Sequence, residues 1–169
     1  MEKFMSRELP KFKPGLTFYC ESMCINDEKL LRGNYAEKYL FEAIEYCQEI
    51  FRFKLLAAKG LPDSIHLLVR TIKWEASISL IMYLIRKRIE KRYNKHMGRK
   101  GHFWENFYSI YIVEEASNPK KFLSDINEFF GTDQINNIEM FENEDNIKED
   151  YIKDRLKNKK VILNLGRLF

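Results

Sequence analysis

The residues best suited to chemistry are three histidines, of which one lies within a predicted strand. His66 stands in the middle of the segment PDSIHLLV, whereas His96 and His102 belong to a stretch rich in Lys and Arg and suit phosphate better than metal. A metal site needs two or three converging ligands, and Ser64, which shares a strand face with His66, is a poor neutral ligand. The residues alone therefore favour a structural role for His66 and give weak support to a metal site.

A strongly basic stretch covers residues 86–100, with the sequence RKRIEKRYNKHMGRK. It holds eight Lys or Arg residues and one Glu, a net charge of +7, whereas the whole chain of 169 residues carries +4. Cations match a nucleic-acid backbone and release its counterions, and aromatic rings stack on unpaired bases. The alternative is a solvated helix face with its aromatic residues in the core. The clustering favours nucleic acid, and the predicted DNA-binding residues are Arg86, Arg88, Lys91, Arg92, Lys95, Arg99, Lys100, His102 and Trp104.

Hydrophobic periodicity predicts the elements that must position these residues. One helix begins at Asn34, which has the spacing of a capping box with Glu37, and the last helix ends at Gly131. The order strand, helix, strand, strand, helix, strand, helix is typical of an α+β, ferredoxin-like fold: an antiparallel sheet with helices on one face. The predicted strands are Leu16–Cys24, Phe51–Lys59, Ser64–Thr71 and Phe103–Val113, and the later helices are Trp74–Met97 and Pro119–Phe130.

Composition divides the chain into an N-terminal arm (1–15), one α+β domain (16–131) and a C-terminal extension (132–169). The extension is expected to be partly helical; it is acidic up to Asp154 and basic from Arg155 onward. The three cysteines are an odd, small number that predicts buried, reduced thiols. No stretch resembles a signal peptide or approaches 18 apolar residues. A cytoplasmic protein without membrane contact is therefore expected.

Two segments resemble single-tyrosine HUH transposases, in particular the REP-associated tyrosine transposases. GLPDSIHLLV is similar to that family's MPNHVHLLV, and KRYNKHMGRKGHFWENFYS is similar to its RYNRRHGRxGHLWxxRFxS, with one long helix between the two segments. The resemblance covers about Leu16 to Phe130 and implies the same fold. It implies hairpin or single-stranded DNA as the partner. Members of the family occur as monomers and as homodimers, and the sequence does not separate these states.

The resemblance also implies a mechanism. In that family two histidines of the His-hydrophobic-His strand bind Mg²⁺ or Mn²⁺, which polarises a scissile phosphate of DNA. A tyrosine on the last helix attacks this phosphate and forms a covalent phosphotyrosine. An amide or carboxylate one turn after the tyrosine is the third metal ligand.

The chain departs from this pattern at the positions where the chemistry occurs. Ser64 stands at the first histidine position, which leaves His66 as the one imidazole of the pair. Phe129 stands at the nucleophile position and has no hydroxyl that could attack phosphorus. Asp133, one turn later, could in principle join His66 as a metal ligand. Together these departures predict a catalytically degenerate, transposase-like protein that binds hairpin or single-stranded DNA without cleaving it.

Two other functions stay open from the sequence. An active transposase or DNA nickase that uses Mg²⁺ or Mn²⁺ would need a nucleophile from elsewhere, such as Tyr108, Tyr111, Tyr151 or water. A protein-interaction module without DNA is the other, and the acidic stretch 133–154, with a net charge of −6, would serve it. Phe129 facing His66 across an otherwise empty pocket would favour the degenerate site, whereas a tyrosine hydroxyl beside His66 would favour the enzyme.

Overall fold

The computed structural model describes residues 15–72 and 75–131, and the described chain alternates between strands and helices in the predicted order. Most of the predicted N-terminal arm and all of the C-terminal extension lie outside these residues, as do Asp133 and Tyr151. Short 3₁₀ turns follow the first and last strands. The elements are β1 (Thr17–Met23), α1 (Tyr35–Ile50), β2 (Phe53–Leu61), β3 (Ser64–Thr71), α2 (Ile78–Met97), β4 (Ser109–Ile112) and α3 (Pro119–Phe130).

The four strands form one antiparallel sheet in the order β2-β3-β1-β4. This order confirms the predicted α+β, ferredoxin-like fold. A two-residue turn at Pro62 and Asp63 joins β2 to β3, as the Gly-Leu-Pro-Asp break predicts. The central position of β1 and β3 places the middle of each strand between two neighbours, which is a rigid setting for a functional side chain.

Helices α1 and α2 pack on one face of the sheet and form the main core with it. The predicted apolar stripe of α1, which includes Leu40 and Ile44, is buried, and so is the stripe of α2 from Ile78 to Ile89. Alternate side chains of β1 and β3 point into the same core, because successive side chains of a strand face opposite sides. The three cysteines are buried and unbridged, as predicted: Cys20, Cys24 and Cys47.

Helix α3 lies on the opposite face of the sheet, so the prediction that the helices pack on one face is wrong for this helix. Phe122 and Phe130 of this helix contact Tyr19 of β1, and Phe129 contacts His66 of β3. Tyr19 and His66 belong to the face that points away from α1 and α2. That face also carries Leu68, which is fully buried. An amphipathic helix after β4 is required to cover such apolar surface.

Two local predictions were wrong. Asn34 does not cap α1 with its side chain, because its backbone is already helical (φ −75°, ψ 0°) rather than extended as an N-cap requires. The fourth strand is shorter than predicted, and Trp104 makes only an isolated bridge to Cys24. The reason is that Phe103 and Trp104 turn their rings into the core. No helix in the described segments is long and apolar enough to span a membrane.

The His66 site and a candidate nucleic-acid interface

His66 lies in the middle of β3 on the face covered by α3. Its register partners are Glu21 on β1 and Lys59 on β2. The residue is only 5% exposed. A buried imidazole needs hydrogen-bond partners for both ring nitrogens, because an unpaired polar atom in the interior costs about 1–3 kcal/mol.

Both nitrogens of His66 have such partners, in a hydrogen-bonded chain of four side chains. The Tyr19 hydroxyl lies 2.9 Å from Nδ1, the Ser64 hydroxyl lies 3.0 Å from Nε2, and Ser64 donates to Asp63 Oδ1 at 3.1 Å. The Asp63 carboxylate can only accept, so it takes the single Ser64 proton. His66 Nε2–H then donates to Ser64 Oγ, and Nδ1 accepts from Tyr19. These roles are assigned from the network.

The electrostatics of the chain keep His66 neutral and Tyr19 protonated. Burial lowers the pKa of His66 to about 4, with a further lowering by Lys59 that nearby Asp63 opposes. Burial also raises the pKa of Tyr19 above its ordinary value, and the neighbouring Glu21 adds to this. A neutral imidazole beside a protonated phenol is the arrangement that the hydrogen bonds require.

Phe129 closes the site from the α3 side. Its ring centroid lies 4.8 Å from that of His66. Lys59 holds this part of α3 in place, because its Nζ donates to the Phe129 carbonyl at 2.7 Å and lies 4.6 Å from the ring centroid. Tyr19 completes the cover by stacking on His66 and on Tyr111.

Sequence reasoning missed Tyr19, although it considered three other tyrosines as replacement nucleophiles. Tyr108 lies directly before β4, and Tyr111 lies within it. The signal that could have found Tyr19 is strand alternation: it shares a face with Glu21, the register partner of His66. Of the two discriminating features, the empty pocket is absent, because the Phe129 and His66 rings are in direct contact. The other is present, because the Tyr19 hydroxyl lies beside the imidazole.

The side chains of the His66 site do not fit the divalent metal that the resemblance implies. Nε2 and Nδ1 of His66 are both engaged in hydrogen bonds, and Ser64 offers a neutral hydroxyl where a second imidazole is needed. Within residues 15–72 and 75–131, no three His, Cys, Asp or Glu side chains converge as a metal centre requires. Asp133, the predicted second ligand, lies outside the described residues.

The four arginines among the predicted DNA-binding residues all contact other groups of the protein, although half of the Arg92 side chain stays exposed. Arg92 pairs with Glu42 of α1, with N–O distances of 3.0 and 3.3 Å. The Arg88 guanidinium lies 4.2 Å from the ring centroid of Tyr46, also on α1. These contacts tie α2 to α1 and use the planar guanidinium for stacking and forked hydrogen bonds.

Arg86 joins α2 to the segment 104–108 through two hydrogen bonds and its contacts with aromatic rings. The Trp104 indole donates to the Arg86 carbonyl at 2.9 Å, and the Arg86 guanidinium donates to the Glu105 carbonyl. That guanidinium also lies 5.1 Å from the ring centroid of Tyr108, and burial lowers the pKa of Arg86. Trp104 is 5% exposed, so its ring forms a wall rather than a protruding platform.

The loop after α2 is fixed by its own side chains. Gly98 ends the helix in the left-handed conformation (φ 61°), where a residue without a Cβ is favoured. Arg99 donates to the carbonyls of Gly101 and His102, at 3.5 and 2.8 Å. Asn94 also donates to the Gly101 carbonyl, at 3.2 Å. As a result, Lys100 and His102 are presented to solvent from an ordered loop.

The lysines differ from the arginines because they point outward. Lys87, Lys91 and Lys95 follow one another at four-residue intervals on the exposed side of α2, and we call these three residues the lysine row. Lys87 makes a long ion pair with Glu90 at 3.8 Å. Lys91, Lys95 and Lys100 make no ion pair within the part of the chain that the structure describes. The row and the adjoining loop form a positively charged ridge.

Comparisons with known proteins agree with this geometry. The family model for IS200-like transposases matches residues 21–124. The chain belongs to the IS200-like transposase family. The match runs from the second half of β1 to the middle of α3, so it includes Ser64, His66 and the basic helix, whereas Tyr19 and Phe129 lie outside it. A search of curated proteins finds no match to the chain.

Two solved structures show the same fold. A REP-associated tyrosine transposase bound to a REP hairpin superposes with a TM-score of 0.56 at 19% identity, covering 73% of this chain and 69% of that one. A candidate transposase from Deinococcus radiodurans R1 gives a TM-score of 0.50 at 13% identity, covering 75% of this chain and 96% of that one. At these identities the likeness concerns the fold.

Proposed function

We propose that this member of the transposase family binds hairpin or single-stranded DNA through the α2 surface and does not cleave it at His66. The observation that carries the binding half is the lysine row with the ordered Lys100 loop. Exposed ammonium groups at regular spacing attract a phosphate backbone and gain affinity from counterion release. The similar structure that holds a REP hairpin supports the choice of DNA.

The non-cleaving half of the proposal rests on the contents of the His66 site. Phosphoryl transfer to a side chain needs a nucleophile with a depressed pKa or an adjacent base, together with charge stabilisation at the phosphate. Phe129 offers no hydroxyl, and the nitrogens of His66 are already bonded to Tyr19 and Ser64. The site is thus organised as a satisfied, buried network.

A second candidate function is retained cleavage with Tyr19 as the nucleophile. Its hydroxyl lies 2.9 Å from a neutral imidazole that could accept the proton. Against it stand the raised pKa of Tyr19 and the packing of Phe122 and Phe130 edge-on against its ring. A denaturing gel after incubation with hairpin DNA and Mg²⁺ or Mn²⁺ decides the matter. A covalent adduct that disappears in Tyr19→Phe would establish this second function.

The binding half is tested by fluorescence anisotropy with three ligands: a labelled hairpin with a single-stranded flank, a blunt duplex of equal length and heparin. We expect the hairpin to bind more tightly than the duplex. We also expect heparin to displace the bound hairpin only weakly. Equal weak binding of all three would reduce the proposal to nonspecific polyanion affinity. No binding of any DNA would leave the third possibility, a protein-interaction module. A cytoplasmic location remains a prediction. The sequence does not separate a monomer from a homodimer, and it assigns no role to the extension 132–169.

A further inference from the structure

A cleft lies beside the lysine row, between α2 and the segment that precedes β4. Its volume is about 170 Å³. This is below the roughly 300–1,000 Å³ of pockets that enclose a whole small-molecule ligand, and it suits a single flat ring system. We call it the Arg86 cleft; it is lined by Tyr83, Arg86, Lys87, Glu90, His102, Phe103, Trp104, Glu105 and Asn106.

The walls of the Arg86 cleft are fixed before any ligand arrives. The Trp104 indole donates to the Arg86 carbonyl, and the Arg86 guanidinium donates to the Glu105 carbonyl. Phe103 packs edge-on against Trp104 at 4.7 Å between centroids. Glu105 is held as well, since its Oε1 accepts from the backbone N–H of Asn26 at 2.7 Å. A preorganised cleft loses little side-chain freedom on binding, which favours affinity.

The chemistry of the lining favours a neutral heterocycle over an anion. Tyr83, which is 37% exposed, and the cation of Arg86 provide faces for stacking. The carboxylates of Glu90 and Glu105 would repel a phosphate inside the cleft, although they can accept hydrogen bonds from ring amino groups. The exposed Asn106 amide can both donate and accept, as the edge of a nucleobase requires.

The position of the cleft connects it to the proposed DNA path. Lys87 belongs both to the cleft and to the lysine row, so a phosphate bound there would lie at the cleft mouth. A base within a duplex cannot turn away from its partner without loss of pairing and stacking. Building on the proposed function, we propose that the Arg86 cleft takes one unpaired base of a DNA strand whose backbone follows the lysine row.

The test uses the full chain and hairpins that carry 2-aminopurine at successive positions of a single-stranded flank. We expect quenching of 2-aminopurine fluorescence at one flank position on binding. An abasic site at that position should lower the affinity by about 5- to 150-fold, the range expected for loss of one stacked base. Asn106→Trp, which fills the cleft, and Tyr83→Ala should each abolish the quenching. Phe41→Ala is the matched control, because it removes an aromatic ring that is 44% exposed on α1, away from the cleft.

The outcomes separate this inference from the proposed function. Hairpin binding with no quenched position and no effect of the abasic site would overturn the cleft inference and leave the proposed function standing. Quenching that persists in both Asn106→Trp and Tyr83→Ala would assign the base to another surface and also overturn it. Absence of binding to any DNA would contradict the proposed function, and the inference would fail with it.

Discussion

The α2 surface and the α3-covered surface lie on opposite faces of one sheet, and they use polar side chains in opposite ways. The lysine row on α2 and Lys100 in the following loop are exposed to solvent. Under α3, Tyr19, His66, Ser64 and Asp63 satisfy one another in a closed chain. The first arrangement is ready for an anionic partner, whereas the second has no unused donor or acceptor at the imidazole. Substitutions on one surface should therefore leave the other surface unchanged.

The contrast extends to the choice of cation within the basic stretch. Arg86, Arg88, Arg92 and Arg99 stack on rings or bond to carbonyl and carboxylate oxygens of the protein itself. Guanidinium groups suit such fixed, planar contacts, while lysine ammonium groups are compact and strongly hydrated. The local charge of +7 includes the arginines that hold α2, α1 and the following loop together. It therefore overstates the positive charge that is available to bind DNA.

The largest effect is expected from removal of charge on the α2 surface. A triple Lys91→Ala, Lys95→Ala and Lys100→Ala variant should lose about 100-fold in hairpin affinity near 0.15 M salt, because three phosphate contacts and their counterion release are lost. The slope of log affinity against log salt should become shallower by about 2.7. Anisotropy titrations at several salt concentrations measure both quantities.

The matched control removes three exposed lysines elsewhere: Lys29→Ala, Lys120→Ala and Lys121→Ala. Two of these lie on α3, so the control also probes the other face of the sheet. We expect less than a threefold change in affinity. Equal losses in the two triple variants would show that overall charge, and not the α2 surface, determines binding.

The next effect is a pH dependence of stability that originates at His66. Its folded pKa of about 4 lies below the unfolded value of 6.5, so the unfolded state binds the extra proton. Stability from this group is therefore complete above about pH 6.5 and is lost as pH falls toward 4, by on the order of 2–3 kcal/mol. Urea unfolding of the wild type and His66→Gln at pH 7 and pH 4.5 measures the difference.

His102→Gln is the control for that experiment, because it removes an exposed histidine that lies outside the His66 site. A His66→Gln variant that loses as much stability on acidification as the wild type would contradict the buried neutral imidazole. In that case the acid sensitivity would originate in carboxylates elsewhere.

A smaller effect is expected from Tyr19→Phe. The substitution removes the donor to Nδ1 of a buried imidazole and should cost about 1 kcal/mol of the free energy of unfolding. Hairpin affinity should stay within twofold of the wild type, since Tyr19 lies on the face opposite to α2. Tyr111→Phe, which keeps the ring stacked on Tyr19, should be close to neutral in stability. A large loss of DNA affinity in Tyr19→Phe would place DNA at the His66 site.

The smallest effect should follow Lys59→Met. The change removes the hydrogen bond to the Phe129 carbonyl and a positive charge that lowers the pKa of His66. We expect an upward shift of that pKa in an NMR titration and faster hydrogen exchange near the end of α3. DNA affinity and the exchange of α2 amides should not change. Lys120→Met, at an exposed position of α3, should alter none of these quantities.

The sequence was sufficient for the elements of the fold because hydrophobic periodicity reports which face of each element is buried. Ser64–Thr71 and Pro119–Phe130 have the bounds predicted for them. The face on which α3 packs was predicted wrongly, since amphipathicity identifies a buried side but not the surface that covers it. Strand alternation alone predicted that Ser64 and His66 share one face. The addition of Phe129 to the same site depended on the family resemblance.

The remaining features of the two surfaces depend on partners distant in sequence. Tyr19 lies 47 positions from His66, and no local pattern links them. Charge counting selected the basic stretch but could not separate Arg92, which pairs with Glu42, from Lys91 beside it. Trp104 was predicted to contact DNA from its aromatic type, whereas its indole N–H is engaged by the Arg86 carbonyl. Such pairings are set by tertiary packing.

The central claim, that DNA lies on α2 and not over the His66 site, is tested most directly by photocrosslinking. The photoreactive residue p-benzoylphenylalanine replaces Lys95 in one variant and Lys121 in another, and each is irradiated with the same labelled hairpin. Both positions are exposed, and they lie on opposite faces of the sheet. We expect a protein–DNA crosslink from position 95 and none above background from position 121. A crosslink from position 121 alone would contradict this claim.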